Sequence, residues 1–308
     1  MSLPDDYLEY PWRRHGMDHD RYTWAHGFER PRVEWPGGKR VALWVVPALE
    51  FFPLNPTGQP FKAPGSMVTP YPDFRHYTTR DYGNRVGIYR LLKVFDSLGI
   101  PASVAVNAAV AERYPVLLED VVARGHEVIA HGYDMDSLHH SGLSADDERA
   151  LVRRTLEALR RLSGQPVTGW LSPAQHESFA TPDLVAEQGI EYVCDWINDD
   201  LPYRMNVADG TLWAMPHNTQ FSDRKILIDY HQSEDAYVEQ LRDAFDRLYR
   251  EAEEHGGRIL CLPLTPYITG LPFRIRALAG LLEHIVGHDG VWPATGAQIL
   301  EAWRKAAA

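Results

Sequence analysis

From residue 39 onward the chain alternates short apolar runs with stretches of helical period, and nothing else in it limits the fold so strongly. Apolar runs rich in β-branched and aromatic residues occur at 39–46, 102–106, 127–130, 167–171, 192–196, 212–215, 259–264 and 291–292. Between the first two, Val86, Tyr89, Leu92, Val94 and Phe95 fall at helical spacing before a stop at Gly99. Further helices are predicted over 114–124, over 145–162 behind a Ser144 cap, over 181–188 with Pro182 in its first turn, over 233–255, over 274–288 and from Gly296. Runs apolar on both faces are those that helices cover in a parallel sheet. Strand-helix pairs repeated this often predict an α/β fold, a distorted (β/α)7-type barrel of parallel strands with an N-terminal extension.

A chain of 308 residues suits one such barrel at 39–308 preceded by an arm at 1–38, whose six Tyr and Trp residues predict that it packs on the barrel or on a neighbouring subunit. The segment 51–82 reads as a long Pro-rich loop. A net charge of −11 without any Lys/Arg run argues against nucleic acid and anionic membranes as partners and leaves a small-molecule substrate. Cys194 and Cys261 are too few for a disulfide framework, and the opening residues lack the pattern of a signal peptide, so a reducing cytoplasm is the expected setting.

In a barrel of this kind the carboxyl ends of the strands carry the chemistry. The segment Gly125 to Asp136 shows the design: a β-branched run ends in His131, Gly132, Asp134 and Asp136. Its counterparts after the other strands are Glu50, Asn107, Ser172 with His176 and Glu177, Asp195 with Asn198, Asp199 and Asp200, His217 with Asn218, and Thr265 with Tyr267. Carboxylates beside imidazoles can deprotonate water and protonate a leaving nitrogen, or hold a divalent metal that acidifies the water; either use predicts a hydrolase. His139 and His140, in a Ser/Gly loop, read as solvated. The cluster His15, Asp18, His19 and Asp20 reads mainly as surface, and Asp199 to Tyr203 as a structural turn.

Five segments in this order carry a family resemblance: Tyr82-Gly83-Asn84-Arg85-Val86-Gly87, Ile129-Ala130-His131-Gly132-Tyr133, Gly169-Trp170-Leu171-Ser172-Pro173, Asp199-Asp200-Leu201-Pro202-Tyr203 and Pro266-Tyr267-Ile268-Thr269-Gly270-Leu271-Pro272. With them the chain resembles the polysaccharide deacetylase (NodB-homology) superfamily, and within it the branch of cofactor-independent allantoinases. The departures are as informative. Where the metal-dependent deacetylases have paired aspartates after the first strand, this chain has Glu50 alone; where they have a second His four residues after the first, it has Met135; Leu171 replaces their Arg, and Thr265 stands where their acid His would be.

The resemblance therefore implies hydrolysis of a non-peptide carbon-nitrogen bond (amide, ureide or N-acyl) through an altered site. Glu50 and His131 would bind or activate water, His217 or Glu177 would supply the proton, and Asp195 or Asp200 would orient the site. Tyr133, Trp170 and Trp196 would wall in a flat substrate near Thr265. No cofactor is required by this reading. A zinc ion held by Glu50, His131 and Asp134 is the metal-bound variant of it, as in an N-deacetylase of saccharides, and an inactive binding or regulatory protein is the other alternative. The resemblance also implies a homodimer or homotetramer.

Overall fold

The computed structural model describes residues 19–27 and 30–306. The strands among the described residues are β1 (Val41–Leu49), β2 (Ser103–Val106), β3 (Glu127–Ala130), β4 (Gly169–Trp170), β5 (Tyr192–Val193), β6 (Tyr203–Met205), β7 (Leu212–Ala214), β8 (Arg258–Leu264) and β9 (Val291–Pro293). Seven of them run parallel in the order β7-β5-β4-β3-β2-β1-β8, with β6 antiparallel on the outer edge of β7 and β9 paired to β1. No ladder joins β8 to β7 among the described residues, so the sheet curls into a partial barrel.

The alternation along β1 explains its unbroken apolar sequence. Val41, Leu43, Val45 and Leu49 pack outward against the helices, with Leu91, Phe95, Leu278 and Leu281. Ala42, Trp44 and Val46 point into the barrel, with Tyr192, Cys194, Met215 and Cys261. Helix Gly296–Ala306 closes one end of that interior with Ile299, Leu300 and Trp303. Its first backbone N–H donates to Ser103 Oγ, 2.8 Å away at the start of β2, so it plugs the amino ends of the strands and leaves the carboxyl ends free for a cavity. Both cysteines are free and buried.

Several elements differ from expectation. The strand predicted over 167–171 pairs only at Gly169–Trp170 because Val167, at φ +46°, lies outside the extended region. The segment read as a loop over 51–82 contains helix Phe74–Tyr82, capped by the Asp73 carboxylate, which accepts from the His76 N–H at 2.9 Å. This helix buries none of its residues, so it carries no amphipathic signal. It continues through a π-helical turn, Gly83–Gly87, into helix Ile88–Leu98. Gly87 is required there: a Cβ would lie 2.1 Å from the carbonyl oxygen of Pro266.

A short helix, Ala108–Arg113, precedes helix Pro115–Ala123 where one helix was predicted. Helix Thr181–Glu187 starts after Ala180 rather than from a Thr181 cap, because the Thr181 hydroxyl bonds Glu148 instead. Of the arm, residues 1–18, including His15 and Asp18, lie outside the described residues. The described part lies on its own barrel: Trp35 is 1% exposed and its indole N–H donates to the Arg258 carbonyl at 2.8 Å, and Arg21 pairs with Asp183 at 2.8 Å. Among the described residues no helix is long and apolar enough to cross a membrane.

Candidate active site

A cavity of about 260 Å³ opens at the carboxyl ends of the strands. It is lined by Glu50 after β1, His131 after β3, Leu171 after β4, His217 beyond β7 and Thr265 after β8, by Gln175 from a loop, and by Arg224, Lys225 and Asp229 from the π-helical turn Arg224–Asp229. Asn107, fully buried after β2, braces two of these ends: its side-chain carbonyl accepts from the Phe51 N–H at 2.8 Å, and its amide donates to the His131 carbonyl. The Glu50 carbonyl is held in turn by the Asn84 amide at 2.9 Å.

Glu50 and His131 meet inside the cavity, with Oε1 3.8 Å from Nε2. The other Glu50 oxygen accepts from the Tyr267 hydroxyl at 3.2 Å. His131 Nδ1 lies 2.9 Å from the Leu171 carbonyl, an acceptor only, so Nδ1 carries a proton, and in the neutral ring the lone pair is on Nε2. That Nε2 is buried and makes no hydrogen bond to any described residue. An imidazole nitrogen beside a carboxylate at the cavity wall is a pairing that can take a proton from water bound alongside both.

His217 is 4% exposed, and burial, reinforced by the nearby His131, lowers its pKa to about 3. It therefore stays neutral through the physiological range. The Gln175 amide fixes its tautomer: Gln175 Nε2 donates to the Cys194 carbonyl at 3.0 Å and faces His217 Nδ1 at 3.3 Å, which leaves the ring N–H on Nε2. Gln175 reaches this position because it and Ala174 both adopt left-handed backbone, at φ 52° and 60°.

Glu177 and Asp195 do not line the cavity; they form a carboxyl pair beside it. The Ser172 N–H donates to Asp195 Oδ1 at 2.8 Å and the Trp196 indole to Glu177 Oε2 at 2.9 Å, while their remaining oxygens are buried without other donors. Burial and the neighbouring Asp195 push the Glu177 carboxyl well above its ordinary range, so Glu177 keeps a proton that the pair shares.

Of the residues singled out in the sequence, the structure gathers Glu50, His131, His217 and Thr265 around one cavity. It does not bring the others there. The Tyr133 hydroxyl bonds Glu112 at 3.0 Å and Arg154 stacks on its ring. Trp170 is fully buried on the helix side of the sheet. Trp196 packs against His19 and Tyr22 of the arm, and Asp200 edges a separate hollow between the arm and the 197–203 loop. Asp134 Oδ1 caps a turn, accepting the Asp136 and Ser137 N–H groups at 3.0 and 2.7 Å.

His139 also departs from expectation. It is fully buried, with Nδ1 3.0 Å from Glu148, because helix Ala145–Ser163 brings that carboxylate under the loop, where Ser178 and Thr181 bond it too.

Sequence reading missed Gln175, Arg224 and Lys225, and also Asp223, which accepts from the Arg224 N–H. Asp223 is fully buried; its oxygens accept from the Thr265 N–H at 2.8 Å, the Arg224 N–H at 2.7 Å and the Thr269 hydroxyl. The residues fit a metal poorly. A catalytic zinc site takes about three protein ligands, whereas among the described residues no three His, Cys, Asp or Glu side chains converge, and Asp134 is committed to its turn.

The polysaccharide deacetylase family profile matches residues 70–193. The fold superposes on the crystal structure of Puue allantoinase with a TM-score of 0.82 and 28% identity, covering 94% of this chain and 98% of that one. A probable polysaccharide deacetylase from Pseudomonas aeruginosa PAO1 superposes with a TM-score of 0.81 and 26% identity, covering 93% and 98%. A Schizosaccharomyces pombe protein assigned to the polysaccharide deacetylases is 28% identical over 242 residues, 72% of this chain and 74% of that protein.

Proposed function

From the premise that this chain is a polysaccharide deacetylase-domain protein of the deacetylase and allantoinase-like hydrolases, we propose that it hydrolyses a non-peptide carbon-nitrogen bond, an amide, ureide or N-acyl group, in a small molecule. The observation that carries this reading is the 3.8 Å approach of Glu50 to His131 Nε2, the ring nitrogen turned away from the Leu171 carbonyl. Water bound beside both gives its proton to Nε2 as its oxygen attacks the carbonyl carbon. The neutral His217 N–H donates a hydrogen bond to the carbonyl oxygen as it gains charge, a role that asks for a donor and not for a cation. When the carbon-nitrogen bond breaks, the proton on His131 passes to the departing nitrogen. This assigns proton delivery to His131 in place of His217, which stays neutral, and of Glu177, which does not reach the cavity.

The size of the cavity supports a small substrate. At about 260 Å³ it lies below the roughly 300–1,000 Å³ of drug-sized pockets. The test is a turnover screen of linear and cyclic amides, ureides and N-acetylated sugars against wild type and folded Glu50→Gln and His131→Ala proteins. Turnover of an amide or ureide that both substitutions abolish supports the reading. Full turnover by either variant, or binding without cleavage across the panel, overturns it.

A further inference from the structure

We propose that the substrate of this site carries a carboxylate, and that Arg224 receives it. The inference deepens the hydrolase reading and rests on it for the position of the scissile bond.

Arg224 lines the cavity and forms no ion pair with a carboxylate among the described residues. Its neighbour Asp223 does not neutralise it by a side-chain contact, because both Asp223 oxygens are spent on backbone N–H groups and the Thr269 hydroxyl. That same anchoring fixes where residue 224 enters the cavity wall, at the start of a π-helical turn, Arg224–Asp229. Room for the guanidinium is built in: a Cβ on Gly65 would lie 2.9 Å from Arg224 Nη2.

Two guanidiniums also meet on this side of the cavity. Arg80 and Arg224 lie over the Tyr267 ring at 4.8 and 5.4 Å from its centre, and the Tyr267 hydroxyl is bonded to Glu50. Burial, with the repulsion of Arg224, lowers Arg80 to about 10. Asp73 and Glu50 both act on Arg80, and Lys225 is offset by Asp229 at 3.5 Å, whereas the Arg224 guanidinium has no carboxylate at ion-pair distance among the described residues.

The position of this charge selects the substrate class. An N–H of Arg224 donates to the Tyr267 hydroxyl, which donates to Glu50, so the anion seat stands one tyrosine hydroxyl away from the reacting carboxylate. A carboxylate a few atoms from the scissile carbonyl is the pattern of an N-acyl or N-carbamoyl amino acid. Hydrolysis of such a compound by water releases an amine and a carboxylic or carbamic acid without any further reactant.

The experiment is calorimetric titration of the intact protein with matched pairs of N-acetyl and N-carbamoyl amino acids and their carboxamides. The acids should bind at least tenfold more tightly than the amides; Arg224→Gln should bring the acid-to-amide affinity ratio to about one, and Arg224→Lys should retain part of it. Equal binding of acid and amide, binding of neither, or a preference unchanged in a folded Arg224→Gln protein overturns the proposal. Because titration reads no turnover, a protein that prefers the acids yet cleaves none of them refutes the hydrolase reading and leaves the anion seat standing.

Discussion

Glu50 Oε1 stands 3.8 Å from His131 Nε2, and each residue is held from behind: Glu50 by the Tyr267 hydroxyl, His131 by the Leu171 carbonyl. The gap exceeds hydrogen-bond length, so the two share a site without being locked to each other. Positioned proton transfer contributes about 10²–10⁴ to rate. Glu50→Gln and His131→Gln should each lower kcat on the best substrate by a factor in that range, with far-UV circular dichroism unchanged. A fall below tenfold in both would remove the pair from the chemistry.

His217 predicts a pH effect on stability whose sign is set by burial. Unfolded, a histidine titrates near 6.5; folded, this one is lowered to about 3 by burial and by His131. Its contribution is complete above about pH 6.5 and is lost progressively as pH falls toward 3, because the unfolded chain takes up the proton first. The slope for one such proton is about 1.4 kcal/mol per pH unit. Urea unfolding of wild type and His217→Asn between pH 7 and 4.5 should therefore give a shallower decline for the variant, by up to one proton. Parallel declines would mean that His217 is protonated in the folded state.

The strand-helix order, and hence the end of the sheet that bears the site, can be read from the sequence because a doubly buried strand needs an unbroken apolar run. The same property hides which face each residue takes. Trp170 and Leu171 are both apolar, and with a side-chain period of two only one of them can face the cavity; it is Leu171, while Trp170 packs under the helices. Polar strand ends such as Glu50, His131 and His217 escape this ambiguity, since an imidazole or carboxylate next to a sheet has few places to go besides the rim.

Site residues that do not lie at a strand end were invisible. Asp223, Arg224 and Lys225 come from the 216–232 segment, where no period marks an element, and their placement depends on a long-range contact between Asp223 and the Thr265 N–H. Glu177 and Asp195 come after strands as anticipated, yet burial turns them toward each other and away from the cavity. Sequence spacing carries no record of such a pairing between two loops.

Asp223 should behave as an anchor. It is fully buried and accepts from two N–H groups and a hydroxyl, so Asp223→Asn replaces one acceptor oxygen by an amide that meets a donor. Leaving a buried donor unsatisfied costs about 1–3 kcal/mol. The urea midpoint should fall accordingly, and kcat/KM should fall further than stability alone explains, because Arg224 and Thr265 move together. A stability loss under about 0.5 kcal/mol, on the order of an ordinary surface change, would show that the segment is held by other contacts.

Gly132, beside His131, is constrained in two independent ways. Its φ is +61°, and an added Cβ would lie 2.3 Å from Pro173 Cγ and 2.6 Å from Cδ. Left-handed backbone costs a residue with a side chain roughly 1–2 kcal/mol, and overpacking of this kind adds about 1–3 kcal/mol. Gly132→Ala should therefore lose about 2–5 kcal/mol and displace the strand end that carries His131. The two causes can be separated. In a Gly132→Ala/Pro173→Ala double variant the clash is removed and the backbone strain is not, so stability should recover in part compared with Gly132→Ala, measured against Pro173→Ala alone. Complete recovery would show that the left-handed conformation at residue 132 costs nothing, and no recovery would show that Pro173 is free to move aside.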